Sequence, residues 1–231
     1  MADKIRVGIV GATVTPGGSG WGANAHVPAL QALPGFELKA VCTAHEETAR
    51  ASAEKFDADL AFHDMNAMVA HPDIDVIAVV VRVPLHNQLV MPALLAKKPV
   101  CCEWPLGANL ADATEMADAA KAAGVQTLVG LQAQSDPAVM FARDLIANGD
   151  IGDIVTVNLS VMVGAIPERG DGRIWQGIRA NGANPMTIPG GHSIDALCYM
   201  LGEFAEVSAR VTTRIDMWKH AVTGEDFPVD A

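Results

Sequence analysis

A glycine-rich turn separates the first apolar run of the chain from the helical pattern that follows it. A strand, then glycines, then a helix start is the order that binding of a diphosphate requires. Backbone N–H groups approach a phosphate closely where no side chain intervenes, and the N-terminus of a helix adds unpaired donors. The residues predicted to bind the diphosphate of a dinucleotide are Gly11, Ala12, Thr13, Gly20 and Trp21.

This turn departs from the strict GxGxxG pattern. Thr13 stands where the second glycine belongs, and the loop is lengthened so that Gly20 replaces the third. The alternative interpretation is a flexible surface turn between a buried strand and a helix. We favour dinucleotide binding because the turn lies in the first strand–helix unit of an alternating pattern.

The end of the second predicted strand would usually carry an acid that binds the ribose 2′-hydroxyl of NAD. This sequence has Thr43 and His45 there instead, with Arg50 further along. Because a neutral position does not repel a 2′-phosphate, the sequence favours NADP over NAD. The alternative is that Thr43 is a simple turn residue and His45 a solvated one.

The elements that must position these residues alternate through the first half of the chain. Continuous apolar runs of strand length are typical of strands buried on both faces, and helical patterns separate them. The alternation predicts an α/β fold with a doubly wound parallel sheet covered by helices on both faces. Strands are predicted at 5–10, 37–42, 76–81, 100–103 and 126–131, and helices at 25–33, 46–56, 87–96 and 110–123.

After residue 131 the pattern changes, which predicts two domains, 1–133 and 134–231. The second domain has predicted helices at 138–148 and 193–201, long strands at 154–163 and 205–215, and a loop rich in glycine and proline at 164–189. A two-stranded sheet is marginal by itself. We therefore expect this domain to be C-terminally incomplete or to pair its strands with another chain in an oligomer.

Composition excludes several classes of protein. The chain of 231 residues is 50% hydrophobic and 19% charged, so it can bury a core. Its net charge of −11 argues against direct binding of duplex nucleic acid, which depends on Lys and Arg. Because neither a membrane-length apolar run nor a signal peptide is visible, we expect a cytoplasmic protein. The four cysteines and seven histidines lack metal-ligand spacing, so we expect reduced thiols and no metal site.

Three segments behind the glycine-rich turn carry a family resemblance: VVRVPLHN at 80–87, KPVCCEWPLG at 98–107 and GGHSIDALCYMLG at 190–202. In this order and spacing they resemble the Gfo/Idh/MocA family, the group of glucose–fructose oxidoreductase and inositol dehydrogenase. The resemblance covers nearly the whole chain. It implies a Rossmann domain followed by an α+β domain whose open, mostly antiparallel sheet often forms a dimer contact.

The resemblance also implies an activity and site residues. Members use NAD or NADP to oxidise a sugar or polyol hydroxyl, or to reduce the matching carbonyl. By this resemblance Arg82, Val83 and His86 line the cofactor edge, Glu103 meets the nicotinamide ribose and Gln132 reaches the carboxamide. The alternatives are a solvated charge for Arg82, a helix-start residue for His86, and capping roles for Glu103 and Gln132.

Two positions depart from typical members. Trp104 stands where the family has a lysine that polarises the substrate oxygen, and Ile188 stands where it has an aspartate. Because His192 is kept, it is the predicted acid–base residue, with Asp195 one helical turn later to orient it. Trp104 is predicted to form a flat platform for the nicotinamide or a sugar. The alternatives are a core tryptophan, a structural histidine, and an aspartate that favours the helix N-terminus by its charge.

The Glu-Trp pair makes the sequence resemble a subgroup of the family that includes the fungal repressor of galactose genes. That repressor binds a dinucleotide but acts by binding a transcription activator. Two functions therefore stay open. One is an NAD(P)-dependent oxidoreductase that acts on a sugar, a polyol or a related small hydroxy or carbonyl compound, and we favour it. The other is a catalytically inactive NAD(P)-binding sensor that binds a protein partner. In both cases we expect a homo-oligomer that contacts neither nucleic acid nor membrane.

Overall fold

The computed structural model describes residues 4–15, 20–164 and 167–231. They form two compact units. The first unit is Met1–Gly130 together with Asp171–Arg173, and the second is Leu131–Gly170 together with Ile174–Ala231. The chain thus passes from one unit to the other at Gly130 and returns briefly to the first unit at Asp171–Arg173.

A six-stranded parallel sheet forms the centre of the first unit, in the order β3-β2-β1-β4-β5-β6. Its strands are β1 (Ile5–Val10), β2 (Phe36–Cys42), β3 (Leu60–Phe62), β4 (Val76–Val79), β5 (Val100–Glu103) and β6 (Thr127–Gly130). Its helices are α1 (Val27–Ala32), α2 (Glu46–Phe56), α3 (Met65–Ala70), α4 (His86–Leu95) and α5 (Leu110–Ala123). The strand order reverses between β1 and β4, the point at which open α/β sheets bind ligands.

Side-chain alternation along the strands builds two cores, one on each face of this sheet. Val7 and Ile9 of β1 belong to one buried cluster, whereas Val10 belongs to the other. The first cluster is covered by α1 and α2, and the second by α3, α4 and α5. The predicted doubly wound α/β architecture is therefore confirmed.

Two elements of the first unit were not predicted. β3 has three residues and α3 has six, and they fill the stretch between α2 and β4. Such short elements give too few repeats for apolar periodicity to reveal them. The remaining strands and helices lie within a few residues of the predicted positions.

The second unit contains two helices and a small mixed sheet. The helices are α6 (Pro137–Ala147) and α7 (Gly191–Leu201), and the strands are β7 (Glu168–Arg169), β8 (Met217–His220) and β9 (Asp226–Pro228). β8 lies in the middle, parallel to β7 and antiparallel to β9. Short 3-10 turns span Gln132–Ser135, Ile174–Gly177 and Arg179–Asn181, and a π-helical turn spans Met186–Gly190.

The predictions of long strands at 154–163 and 205–215 are wrong for this structure. Within the described part of the chain, no backbone–backbone hydrogen bond pairs either segment with a neighbour. Val155 and Met162 are 93% and 91% exposed. Alternating apolar residues favour an extended segment, but a strand also needs a partner for its N–H and C=O groups, and the sequence pattern does not identify one.

Candidate functional site

The glycine-rich turn begins where β1 ends, and Gly11 redirects the chain there with a φ of +99°. A Cβ on Gly11 would lie 2.0 Å from the carbonyl oxygen of Val80 and 2.9 Å from the side chain of Val81. Both the left-handed φ and the absence of space restrict this position to glycine. The backbone of the turn therefore lies directly against the residues that follow β4.

A π-helical turn, Gly22–His26, leads from the glycine-rich turn into α1. A Cβ on Gly22 would lie 3.0 Å from the backbone nitrogen of Ala12 and 3.1 Å from the carbonyl oxygen of Gly11. The first N–H groups of a helix have no partner within the helix. The backbone at Gly11 and Gly22, which carries no Cβ atoms and is called the diphosphate cradle below, fits a diphosphate. Residues 16–19 of the predicted loop lie outside the described residues.

Ser52 supports this turn, and the sequence analysis missed it. The backbone N–H of Val14 donates to Ser52 Oγ at 3.1 Å, and Ser52 Oγ donates to the carbonyl of Thr48 at 2.6 Å. The Ser52 side chain is fully buried on α2. In the sequence, Ser52 is recognisable only as a serine on the predicted buried face of a helix, and this position does not reveal that its partner is the backbone of the glycine-rich turn.

The end of β2 carries no acidic residue. The hydroxyls of Thr43 and Thr48 lie 2.6 Å apart, and both lie within hydrogen-bonding distance of the His45 carbonyl. Arg50 forms an ion pair with Glu46 one helical turn away, and both side chains are exposed. The position predicted to meet the ribose 2′ group is thus neutral, and Glu46 offsets the charge of Arg50.

His86 starts α4 and is fully buried. Its Nδ1 lies 2.9 Å from the carbonyl oxygen of Pro105, and its Nε2 lies 3.1 Å from that of Val81. Burial lowers the pKa of His86 below its usual range, although the nearby carbonyls oppose this shift. Because the ring has no exposed surface, we revise its predicted role from lining a cofactor to holding together the loops that follow β4 and β5.

The other two predicted lining residues of this loop differ in exposure. Val83 is buried, whereas Arg82 is exposed and its Nη2 donates to the carbonyl of Asp171 at 2.9 Å. The segment Asp171–Arg173 belongs to the first unit. Of the three residues predicted at this edge, Arg82 is therefore the one whose side chain a ligand can reach.

Glu103 ends β5 and pairs with His26, a residue that the sequence analysis missed. His26 Nε2 lies 2.7 Å from Glu103 Oε1, and the side chains are only 21% and 13% exposed. A Cβ on Gly130 would lie 2.7 Å from both carboxylate oxygens. This pair connects the start of α1, where the diphosphate cradle lies, with the ends of β5 and β6. Trp104 follows Glu103 directly and is half-buried.

The cysteines of the sheet do not supply a nucleophile. Burial raises the pKa of Cys42 and of Cys101 to about 11, and it raises the pKa of Cys102 further. The thiolate is the reactive form of cysteine, and it is scarce near neutral pH when the pKa is so high. All four cysteines are free thiols.

In the second unit, the π-helical turn Met186–Gly190 runs directly into α7 and contains Ile188. His192 in the first turn of α7 is half-buried and has no hydrogen-bonding partner among the residues that the structure describes. π-Helical turns are frequent at functional sites. The imidazole is thus available to a ligand or solvent.

Asp195 was predicted to orient His192, but no hydrogen bond joins the two side chains in the described structure. Its Oδ1 accepts a hydrogen bond from Gln134 Nε2 at 2.7 Å, and its Oδ2 is buried without a partner. Gln134 lies in the same 3-10 turn as Gln132, whose side chain is exposed. The sequence analysis selected Gln132 from this turn, and the structure shows that Gln134 is the glutamine that holds α7.

The three segments 4–15, 20–164 and 167–231 contain no group of three His, Cys, Asp or Glu residues that could hold a metal ion. None of the helices in this part of the chain combines the length and the apolar character that crossing a bilayer requires.

Comparison with known proteins identifies two family models. Residues 5–131 match the oxidoreductase family with an NAD-binding Rossmann fold, Gfo/Idh/MocA, and residues 137–226 match the C-terminal domain of Gal80p. The matches together cover both units of the structure.

Individual relatives include both enzymes and regulators. The dehydrogenase aclE of Aspergillus oryzae is 32% identical over 92% of this chain and 59% of its own length. The galactose/lactose metabolism regulatory protein GAL80 of Saccharomyces cerevisiae is 31% identical over 93% of this chain and 51% of its own length. The solved structure of levoglucosan dehydrogenase with NADH and L-sorbose is 26% identical, with a TM-score of 0.83. The match covers 99% of this chain and 61% of the dehydrogenase chain. The chain thus spans between half and two thirds of these proteins.

Proposed function

This chain belongs to the Gfo/Idh/MocA oxidoreductase family, and we propose that it is an NAD(P)-dependent oxidoreductase that acts on a sugar, a polyol or a related small hydroxy or carbonyl compound. The observation that supports the proposal most is the cradle at Gly11 and Gly22, where neighbouring backbone leaves no space for a Cβ. When bound, the dinucleotide supplies the hydride acceptor or donor.

The residues of the first unit have distinct binding roles in this proposal. The backbone of Gly11, Ala12, Thr13, Gly20 and Trp21 holds the diphosphate. Gly11 contributes its left-handed φ to the turn and not a donor, because its N–H donates to the Cys42 carbonyl at 3.2 Å. The exposed guanidinium of Arg82 lines the same edge of the sheet. Glu103, fixed by His26 and by contact with Gly130, holds the nicotinamide ribose, and Gln132 of the second unit is assigned to the carboxamide.

We propose NADP as the preferred dinucleotide because Thr43 leaves a neutral position at the end of β2. The variant Thr43→Asp places a carboxylate there, and we expect it to weaken NADP binding by about tenfold or more, since like charges repel. The affinity for NAD changes less. Thr114→Asp, an exposed position on α5, is the matched control and leaves both affinities unchanged. Calorimetric titration that finds tighter binding of NAD than of NADP by the natural sequence contradicts the preference.

His192 is the proposed acid–base residue. Its imidazole takes the hydroxyl proton when an alcohol is oxidised and returns it when a carbonyl is reduced. Asp195, which accepts a hydrogen bond from Gln134, lies three residues after His192 on α7. Trp104 has one N–H donor and no exchangeable charge, so its contribution is a flat binding surface.

The test of catalysis is turnover with a panel of sugars, inositols and their ketones, followed at the absorbance of the reduced nicotinamide. His192→Gln should lower kcat by about 10²- to 10⁴-fold and leave dinucleotide affinity unchanged, because acid–base catalysis contributes that factor. His63→Gln, an exposed position in the first unit, is the control. Firm dinucleotide binding without turnover of any compound in the panel would contradict the enzymatic proposal.

A second candidate function is a dinucleotide-dependent regulator that binds a protein partner. It is favoured by Trp104 and Ile188, which replace the ionisable groups of typical members, and by the match of residues 137–226 to the Gal80p C-terminal domain. Affinity capture with and without NADP distinguishes the two functions. A partner retained only with the dinucleotide, in a protein without turnover, supports the regulator, whereas robust turnover without a partner eliminates it.

Location and assembly complete the proposal. We propose a cytoplasmic homo-oligomer that does not bind nucleic acid or membrane directly. The exposed apolar side chains of residues 154–163, such as Val155 and Met162, support self-association, since exposed apolar surface favours burial against another chain. Light scattering coupled to size-exclusion chromatography measures the mass, and a monomer at all concentrations contradicts the oligomer.

A further inference from the structure

The second unit contains a cavity of about 450 Å³. Its walls come from β7, β8, the 3-10 turns between them, the start of the π-helical turn before α7, and residues 211–215. This volume lies within the range of sites that bind small molecules. None of the residues assigned above to the dinucleotide or to proton transfer lines the cavity.

Its lining is cationic although the protein is acidic. The chain has 27 acidic and 16 basic residues, yet the charged side chains among the described lining residues are Arg169, Arg179 and Arg214, without an aspartate or glutamate. Asp230 lies beside the cavity: the backbone N–H of Arg179 donates to its Oδ1, and Arg179 Nε donates to its carbonyl. The Arg179 side chain is thus engaged with a backbone carbonyl, whereas the guanidinium groups of Arg169 and Arg214 form no hydrogen bond or ion pair with the described residues and remain for an anion.

Arg169 is the best placed of these groups. Its guanidinium lies over the indole of Trp218, with Cζ 5.2 Å from the ring centroid. Among the described residues it has no ion pair and no hydrogen-bond acceptor, and its Nε is buried without a partner. A buried unpaired donor costs free energy. The parallel N–H groups of a guanidinium match the two oxygens of a carboxylate.

The rest of the wall is mainly apolar. Met186 and Ile215 lie on it, together with Val163, Pro185, Val211 and Val229. A ligand that fills this space needs an apolar body as well as an anionic group. We propose that the cavity binds a small organic monocarboxylate, whose carboxylate pairs with Arg169 and whose aromatic or branched aliphatic body contacts Met186 and Ile215. This site is independent of the proposed dinucleotide chemistry.

Calorimetric titration of the whole chain tests the chemistry of the ligand. The probes are 3-phenylpropionate and cyclohexanecarboxylate, their neutral amides, and phenyl phosphate. We expect the carboxylates to bind about tenfold more tightly than the amides, because only they form charge-assisted pairs with the guanidinium. Equal affinity for acid and amide, tighter binding of phenyl phosphate, or no binding of any probe at millimolar concentration overturns the proposal.

Variants test the position of the ligand. Arg169→Met should weaken carboxylate binding about tenfold and abolish the preference over the amide. Arg210→Met is the matched control, because Arg210 is exposed on the neighbouring stretch and does not line the cavity. Arg169→Lys keeps the charge but loses the paired donors, so an intermediate affinity supports the proposal even if Arg169→Met unfolds, as judged by circular dichroism. Retention of the full acid-over-amide preference by both Arg169 variants overturns it.

Discussion

The two units differ in how far they bury their apolar side chains. Ile9, Ile77 and Val79 of the first unit have no exposed surface, whereas Val155 and Met162 of the second are almost fully exposed. Neither α6 nor α7 buries a residue completely in the described structure. The first unit therefore has a fully buried core between elements distant in sequence, whereas α6 and α7 of the second unit pack against each other without burying a residue completely.

This difference has a consequence for function. The proposed diphosphate cradle lies on a sheet whose two faces are covered, so its geometry depends on buried neighbours that cannot move far. His192 lies on a helix with little buried surface, and Gln134 to Asp195 is one of the few long-range side-chain contacts of that helix. Substitutions should therefore have large effects in the first unit and small, local effects in the second.

The largest expected effect is that of Gly11→Val. A side chain would overlap the Val80 carbonyl and force an unfavourable φ, so we expect a loss of more than about 4 kcal/mol in the free energy of unfolding, together with loss of dinucleotide binding. Gly124→Ala is the control: its φ is +66°, but no atom lies within 4 Å, so the loss should be about 1–2 kcal/mol. Urea unfolding measures both, and similar midpoints for the two variants would contradict the steric argument.

A matched pair of valine truncations tests the comparison of the units directly. Val79→Ala removes a fully buried side chain of β4 and should cost about 2–3 kcal/mol. Val155→Ala acts on a side chain that is 93% exposed, so the change should stay within about 0.5 kcal/mol. Urea unfolding followed by circular dichroism gives both values. A cost for Val155→Ala as large as that for Val79→Ala would show that the second unit buries this segment in solution.

The buried His86 makes the stability of the first unit depend on pH. Its pKa is lowered in the folded state, so the unfolded chain binds the proton more readily. Stability is therefore full above the ordinary histidine value of about 6.5 and falls as the pH drops below it, by at most about 1.4 kcal/mol per pH unit. Urea unfolding at a series of pH values measures the slope. We expect His86→Gln to lose this component and His63→Gln, an exposed control, to retain it.

Helix caps provide the smallest expected effects, and these should be alike in the two units. Asn109 Oδ1 accepts the N–H of Asp112 at the start of α5, and Asp136 Oδ1 accepts that of Ala138 at the start of α6. Because a cap acts within one turn, Asn109→Ala and Asp136→Ala should each cost about 1 kcal/mol. Hydrogen exchange of the first turns of α5 and α6 reports each loss locally. Unequal losses would indicate that tertiary packing reinforces one cap.

Local signals in the sequence predicted much of the first unit. Strand β5 and helices α2 and α5 have the predicted ends, because apolar periodicity, the Asn109 cap and the left-handed Gly124 act within a few residues. β3 and α3 escaped notice because they are too short to show a period. In the second unit, residues 154–163 have the alternation of a strand, yet the ladder partner that a strand needs is not encoded in that alternation.

The sequence alone determined the order of strand, glycine turn and helix, and hence the position of the proposed diphosphate cradle, because this order depends on neighbouring residues and on where a Cβ is missing. Only the tertiary structure decided which distant groups support it. His26 and Glu103 are 77 positions apart, and Val14 and Ser52 are 38 apart. The same holds for the burial of His86 and for the meeting of Arg169 with Trp218. These pairings follow from the strand order and from the packing of helices on the sheet. The pattern of residues along the sequence does not specify the distance in space between elements that are far apart in the chain.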